Sequence, residues 1–126
     1  MILVDTSVWI DHLRAGSETL AGLLDTGRVL THPFVVGELA LGNLRQREVV
    51  LSALSDLPSA NIAADAEVLD FIGRQSLFGL GIGYVDAHLL AAARLTPGAE
   101  LWTHDRQLRD VATRLGLAFS SQRLRG

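Results

Sequence analysis

Met1-Ile2-Leu3-Val4 is an unbroken apolar run that stops at Asp5. A run so short and so uniformly apolar suits a strand covered on both faces, as strands in parallel sheets are. The rest of the chain repeats the theme. Arg28-Val29-Leu30-Thr31 and Glu100-Leu101-Trp102-Thr103 are two more strand candidates, and Leu117-Ala118-Phe119 is a possible last one. Helical patterns fill the intervals. Thr6 to Leu13 starts a helix that Thr6 or Ser7 can cap. Ser17 caps the next, which Gly27 stops. Pro33 suits the first turn of a helix reaching about Leu44. Further helices are expected over Gln46 to Leu57, Ala64 to about Gln75 with Asp65 as cap, Tyr84 to Leu95, and Arg106 to Leu115. The tail to Gly126 is polar and reads as frayed. Strands alternating with helices predict a three-layer α/β/α sandwich around a short, mostly parallel sheet.

Length and composition are compatible with one domain over residues 1–126, with 48% hydrophobic residues to build its core. With no Cys there is neither a disulfide framework nor a thiolate metal site, as suits a reducing cytoplasm. No signal peptide is evident, and no apolar run approaches the roughly 20 residues that span a bilayer. The net charge of −3 looks unsuited to a nucleic-acid binder. Neutralising four clustered acids would move it from −3 to +1. All 11 cationic side chains are Arg, whose planar fork suits phosphate oxygens. Coding bias is the better explanation for the absence of Lys, so charge neither supports nor excludes RNA.

Four acids stand out. Asp5 and Asp105 each follow the carboxyl end of an expected strand, the edge where ligands bind in open α/β sheets. Glu38 shares a helical stripe with Phe34 and Leu41, which predicts an inward-facing carboxylate. Asp86 has Ile82, Leu89, Leu90 and Ala93 as helical neighbours. Each has an ordinary explanation on its own: Asp5, Asp86 and Asp105 as helix caps, and Glu38 reaching out along a helix edge. Together they suggest one shared site. Several buried carboxylates without cationic partners are costly, and bound Mg²⁺ or Mn²⁺ resolves the repulsion.

The residues at these positions resemble a known family. Met1-Ile2-Leu3-Val4-Asp5-Thr6-Ser7 is similar to the opening of PIN-domain ribonucleases, and within them to the VapC toxins of bacterial toxin–antitoxin pairs. Glu38 in Val36-Gly37-Glu38-Leu39 fits the second acid, Asp86 in Tyr84-Val85-Asp86-Ala87 the third, and Asp105 in Leu101-Trp102-Thr103-His104-Asp105 the fourth. The match covers nearly the whole chain. The resemblance implies an Mg²⁺- or Mn²⁺-dependent endoribonuclease, a VapB-like antitoxin that inhibits it, and homodimers that assemble with that partner. It implies a structured RNA target, usually transfer RNA and sometimes ribosomal RNA. Asp5, Glu38 and Asp86 would hold metal. Asp105 would do so directly or through water, since His104 is an unusual neighbour at that motif. Thr6 and Ser7 would orient Asp5 or a water, and Thr103 would do the same for Asp105. Water attack would leave a 5′-phosphate and a 3′-hydroxyl.

Other features compete for attention. Arg14, Arg45 and Arg47 are candidate phosphate contacts. Trp9 is a candidate for stacking on bases, whereas Trp102 suits the core. His12, His32, His88 and His104 show no zinc spacing, and only His104 adjoins the site. Gly79-Leu80-Gly81-Ile82-Gly83 lacks the Gly-Lys-Ser/Thr end of a phosphate loop and reads as a flexible lead-in to Asp86. A phospho-receiver domain would want a Lys, and a haloacid-dehalogenase-type phosphatase an Asp where Ser7 stands. A non-catalytic protein that keeps the fold and sequesters a partner is the alternative of a different class.

Overall fold

The computed structural model describes residues 1–121, so the expected fraying toward Gly126 lies outside the described residues. Three strands, β1 (Ile2–Val4), β2 (Val29–Leu30) and β3 (Glu100–Trp102), form a parallel sheet in the order β2-β1-β3. Ile2 pairs with Val29 on one side and with Glu100 on the other, and Val4 pairs with Trp102. All three residues of β1 are buried, so helices cover both faces of the sheet, as the three-layer sandwich requires.

Single bridges widen the sheet at both edges. Leu101 bridges Ala118, so the expected Leu117–Phe119 strand is present as one parallel rung. On the far side Thr31 bridges Ser59, through Thr31 N–H to Pro58 C=O at 2.9 Å and Ala60 N–H to Thr31 C=O at 2.9 Å. The sequence offered no strand there. Pro58 lacks an N–H but still supplies a carbonyl, which suits an edge.

Helices α1 (Thr6–Ala15), α2 (Glu18–Asp25), α3 (Pro33–Ala40), α4 (Arg47–Ser55), α5 (Asp65–Arg74), α6 (Tyr84–Leu95) and α7 (Arg106–Arg114) fill the connections. Several ends follow the expected chemistry. Ser17 Oγ accepts from Leu20 N–H, and Pro33 opens α3. Others differ. Asp5, rather than Thr6 or Ser7, is the N-cap residue of α1, and Ala64 rather than Asp65 precedes α5. Helix α3 stops at Ala40, short of Leu44, and Gln46 enters α4 in the left-handed region at φ 50°. Helix α6 is the central one, buried without a break from Ala87 to Ala93. No helix among the described residues is long and apolar enough to cross a membrane.

Candidate active site

Asp5 sits one residue past β1 and starts α1, yet its side chain makes no capping bond. The carboxylate is 6% exposed. Its Oδ2 accepts from Ser7 Oγ at 2.7 Å and from Thr103 Oγ1 at 2.8 Å. Both donors crowd one oxygen, so the other has no protein donor among the described residues. Ser7 thus orients Asp5 as expected. Thr103 does so too, whereas the sequence assigned it to Asp105. It serves Asp105 only by accepting that residue's backbone N–H at 3.0 Å.

Glu38 corrects a second expectation. The stripe of Phe34, Glu38 and Leu41 faces outward: Leu41 is 90% exposed and Glu38 is exposed. The residues that α3 buries are Val35 and Leu39. In a two-turn helix that is apolar nearly all round, the sequence does not phase the inner face. Glu38 Oε1 accepts from Thr6 Oγ1 at 2.7 Å, so Thr6 holds Glu38 rather than Asp5.

Asp86 and Asp105 each bond a helix terminus and still belong to the group. Asp86 Oδ2 accepts from Gly83 N–H at 2.9 Å, and Asp105 Oδ1 from Leu108 N–H at 3.0 Å. Asp86 is half-buried and its carboxyl is pushed above the ordinary range. Burial is the main cause. The Gly83 N–H opposes it, and the negative charges of Asp5, Asp105 and Glu38 add to it. Three acids far apart in sequence therefore act electrostatically on a fourth. Among the described residues none of the four is paired with an Arg or a His.

Comparison with known proteins matches the PIN domain family over residues 2–114. The chain belongs to the PIN-domain family. Within it the chain is VapC-like. It is 46% identical over 122 residues to a protein named Ribonuclease VapC32 in two strains of Mycobacterium tuberculosis, covering 97% of this chain and 98% of the relative. The PIN fold is also that of the crystal structure of FitAcB from Neisseria gonorrhoeae. The TM-score is 0.60 at 22% identity, covering 90% of this chain and 94% of that one.

The remaining candidates in this PIN domain divide by exposure. Trp9 is 5% exposed and part of the core, so it offers no face to a base, and Trp102 is core as expected. Arg45 is exposed. Arg47 gives its guanidinium to Ala40 C=O at the end of α3, a structural use. Arg14 is exposed and bonded to Asp11 Oδ1 at 2.9 Å.

Sequence reading missed Asp11. Its Oδ2 lies 2.6 Å from His104 Nδ1, and His104 N–H donates to Ser7 Oγ at 3.0 Å. The signal in the sequence was the spacing of Ser7, Asp11 and Arg14, which share one face of α1.

Proposed function

We propose that this PIN domain is a divalent-cation-dependent endoribonuclease toxin that hydrolyses a phosphodiester bond in structured RNA, transfer RNA ahead of ribosomal RNA. A VapB-like antitoxin neutralises it in the cytoplasm, within a complex built on toxin homodimers. One observation carries the nuclease reading: four acids without cationic partners share an electrostatic neighbourhood in which Asp86 resists ionisation. Like charges gathered in a partly buried place need a counter-charge. The name of the mycobacterial relatives points to RNA as the substrate.

The donor set fits a hard cation. It is all carboxylate oxygen, which suits Mg²⁺ or Mn²⁺ and not a soft metal. Among the described residues no three acid or His side chains stand together as a ready ligand group. A Mg²⁺ ion keeps several of its waters, so it would reach some of these carboxylates through water. Asp5, Glu38, Asp86 and Asp105 would hold the cation. When bound, it supplies charge neutralisation at the phosphate and a lowered pKa for water.

The chain's own part is orientation. Ser7 and Thr103 fix the Asp5 carboxylate, Thr6 fixes Glu38, and the N–H groups of Gly83 and Leu108 fix Asp86 and Asp105. Such bonds hold ligands in one geometry before the substrate arrives. Attack by water, rather than by the ribose 2′-hydroxyl, yields a 5′-phosphate and a 3′-hydroxyl. Support for a VapB-like partner comes from the family: the chain is VapC-like throughout its length.

The test is incubation of the purified protein with transfer and ribosomal RNA, with and without EDTA, followed by mapping of the new ends. Cleavage that needs Mg²⁺ or Mn²⁺, leaves 5′-phosphates and vanishes in Asp5→Asn is expected. Undiminished cleavage in EDTA, or cyclic phosphate ends, overturns the mechanism. Calorimetry with Mn²⁺ separates this reading from a sequestering protein that keeps the fold without catalysis, which needs no cation. Co-purification with a co-expressed VapB-like protein tests the partner.

A further inference from the structure

We propose that the hollow between α5 and the start of α6 is a nucleobase pocket, in which one unstacked base beside the scissile phosphate lies against Phe78 and Tyr84. The inference rests on the nuclease reading above and adds the group that selects where along an RNA strand the acids act.

The hollow holds about 220 Å³ where the loop of residues 77–83 passes from α5 to α6. Ile72, Leu77, Phe78, Ile82 and Tyr84 line it, and among the described residues no charged side chain does. Sites for drug-sized molecules run to roughly 300–1,000 Å³, so this one suits a single flat ring system. A phosphate or a cation would lose its water there without gaining a partner. A base instead presents a neutral π-face.

The two rings are held differently. Tyr84 is 46% exposed, yet its hydroxyl donates to Asp65 Oδ1 at 2.9 Å and its ring meets His88 edge to face, with centroids 4.7 Å apart. Its polar tip is already used, which leaves a fixed ring to pack on a ligand. Phe78 is 69% exposed and makes no ring contact among the described residues. A ring in water at the rim of an apolar hollow gains cover when a base stacks on it.

Gly83 joins the hollow to the acids. It lines the hollow, and its N–H donates to Asp86 Oδ2 at 2.9 Å. Tyr84 and Asp86 both lie in the first turn of α6. A strand with its phosphate at the acids therefore brings a neighbouring base to the hollow. Sequence-specific readers of single-stranded RNA splay bases out in this way onto aromatic side chains. Continuity with the acid group favours a base over the side chain of a protein partner as the occupant.

Coupling between Phe78 and one base is the test. The probe is a fluorescent hairpin RNA with a mixed-sequence loop, together with versions in which one loop nucleotide at a time keeps its ribose and phosphate but lacks its base. Binding is read by anisotropy in the Asp5→Asn protein, and cleavage in the otherwise unaltered protein with Mg²⁺ or Mn²⁺. At one loop position, removal of the base should weaken binding roughly fivefold to hundredfold. Phe78→Ala should cost a similar factor on the complete RNA, and the two losses should not add. Phe78→Trp should keep the penalty, and so should Tyr84→Phe, which retains the ring and gives up the bond to Asp65. Phe78→Leu, apolar without a ring, should lose most of it. Thermal unfolding of each variant checks that the fold is kept.

A base-removal penalty as large in Phe78→Ala, with RNA still bound and cut, overturns this inference and leaves the nuclease reading intact. So does a Phe78→Ala protein that binds every RNA normally but loses a co-expressed VapB-like partner, which assigns the hollow to a protein side chain. Coupled losses in binding with no cleavage by the unaltered protein support the pocket and overturn the nuclease reading. Failure to bind any of the RNAs overturns both.

Discussion

Thr103 and Asp5 stand 98 positions apart in the chain, and their side chains meet at 2.8 Å. The contact follows from the register of β3 on β1, where Val4 pairs with Trp102 and Asp5 N–H donates to Trp102 C=O at 2.9 Å. Each strand delivers its next residue to the same edge.

Thr103→Val should therefore injure Asp5 more than Asp105. It removes a donor to Asp5 Oδ2 at a site where Thr103 is 4% exposed. A buried acceptor that loses a donor costs about 1–2 kcal/mol, and loss of a bond that orients a metal ligand costs roughly tenfold to hundredfold in metal affinity or activity. Ser7→Ala should give a loss of similar size, since both hydroxyls serve one oxygen. Cleavage rates across a Mn²⁺ titration, with urea unfolding alongside, check both.

Asp86→Asn should stabilise the metal-free protein while abolishing activity. The Asp86 carboxyl is held above its ordinary range by burial and by three acidic neighbours. Its contribution to stability is present below the unfolded value of 3.8 and is lost as pH rises through the raised folded value. An amide has no such penalty and still accepts from Gly83 N–H. The melting temperature at pH 7 in EDTA should rise by about 1–4 °C. Added Mn²⁺ should raise the melting temperature of the unaltered protein and move that of Asp86→Asn much less.

His32 should make the fold acid-sensitive. Its side chain is fully buried, and burial, aided by the charge of His88, lowers its pKa from 6.5 to about 4. The unfolded chain takes up the proton below 6.5 and the native chain does not until about 4. Stability present above pH 6.5 is thus lost as pH falls toward 4, by an amount on the order of 3 kcal/mol. His32→Asn keeps a side chain able to cap Phe34 N–H and should flatten that dependence. Urea midpoints at pH 7 and pH 4.5 for both proteins test this. Asp65, whose carboxyl is held low chiefly by Tyr84 and also by His88, acts only below 3.8, while the raised Asp86 acts with the opposite sign in both proteins alike and drops out of their comparison.

Gly81→Ala should cost about 1 kcal/mol through the backbone. Gly81 has φ +78°, and an added Cβ would lie 2.6 Å from Gln107 Nε2. The amide is the far end of a flexible side chain and can move, whereas the left-handed backbone cannot relax in the same way. Gln107→Ala should consequently fail to rescue Gly81→Ala. Thermal unfolding of the single and double variants separates the two causes.

The sequence carried the strands, the helix stops and the order of the acids, because each is written in neighbouring residues. Met1–Val4 ends at Asp5, Ser17 caps α2, and Gly116 follows α7. What it did not carry depends on partners far along the chain. Helix α3 is apolar on most sides, so only packing shows that Val35 and Leu39 are inside and Glu38 outside. Thr6 and Thr103 each bond an acid other than the expected one, because a hydroxyl two bonds from Cα bonds whatever the fold brings beside it. Ser59 joins the sheet through backbone atoms alone, with no side-chain pattern to announce it. His104 and Asp11 are 93 positions apart, beyond any local periodicity.

The placement of β1 between β2 and β3 makes the acid group a property of the whole fold. The central strand has one neighbour at residues 29–30 and the other only at residues 100–102. Without that second neighbour Asp5 has no Thr103 beside it. A fragment cut before β3 thus loses the strand that closes the sheet and the hydroxyl that holds Asp5 in one stroke, so the acids cannot be gathered by any part of the domain alone.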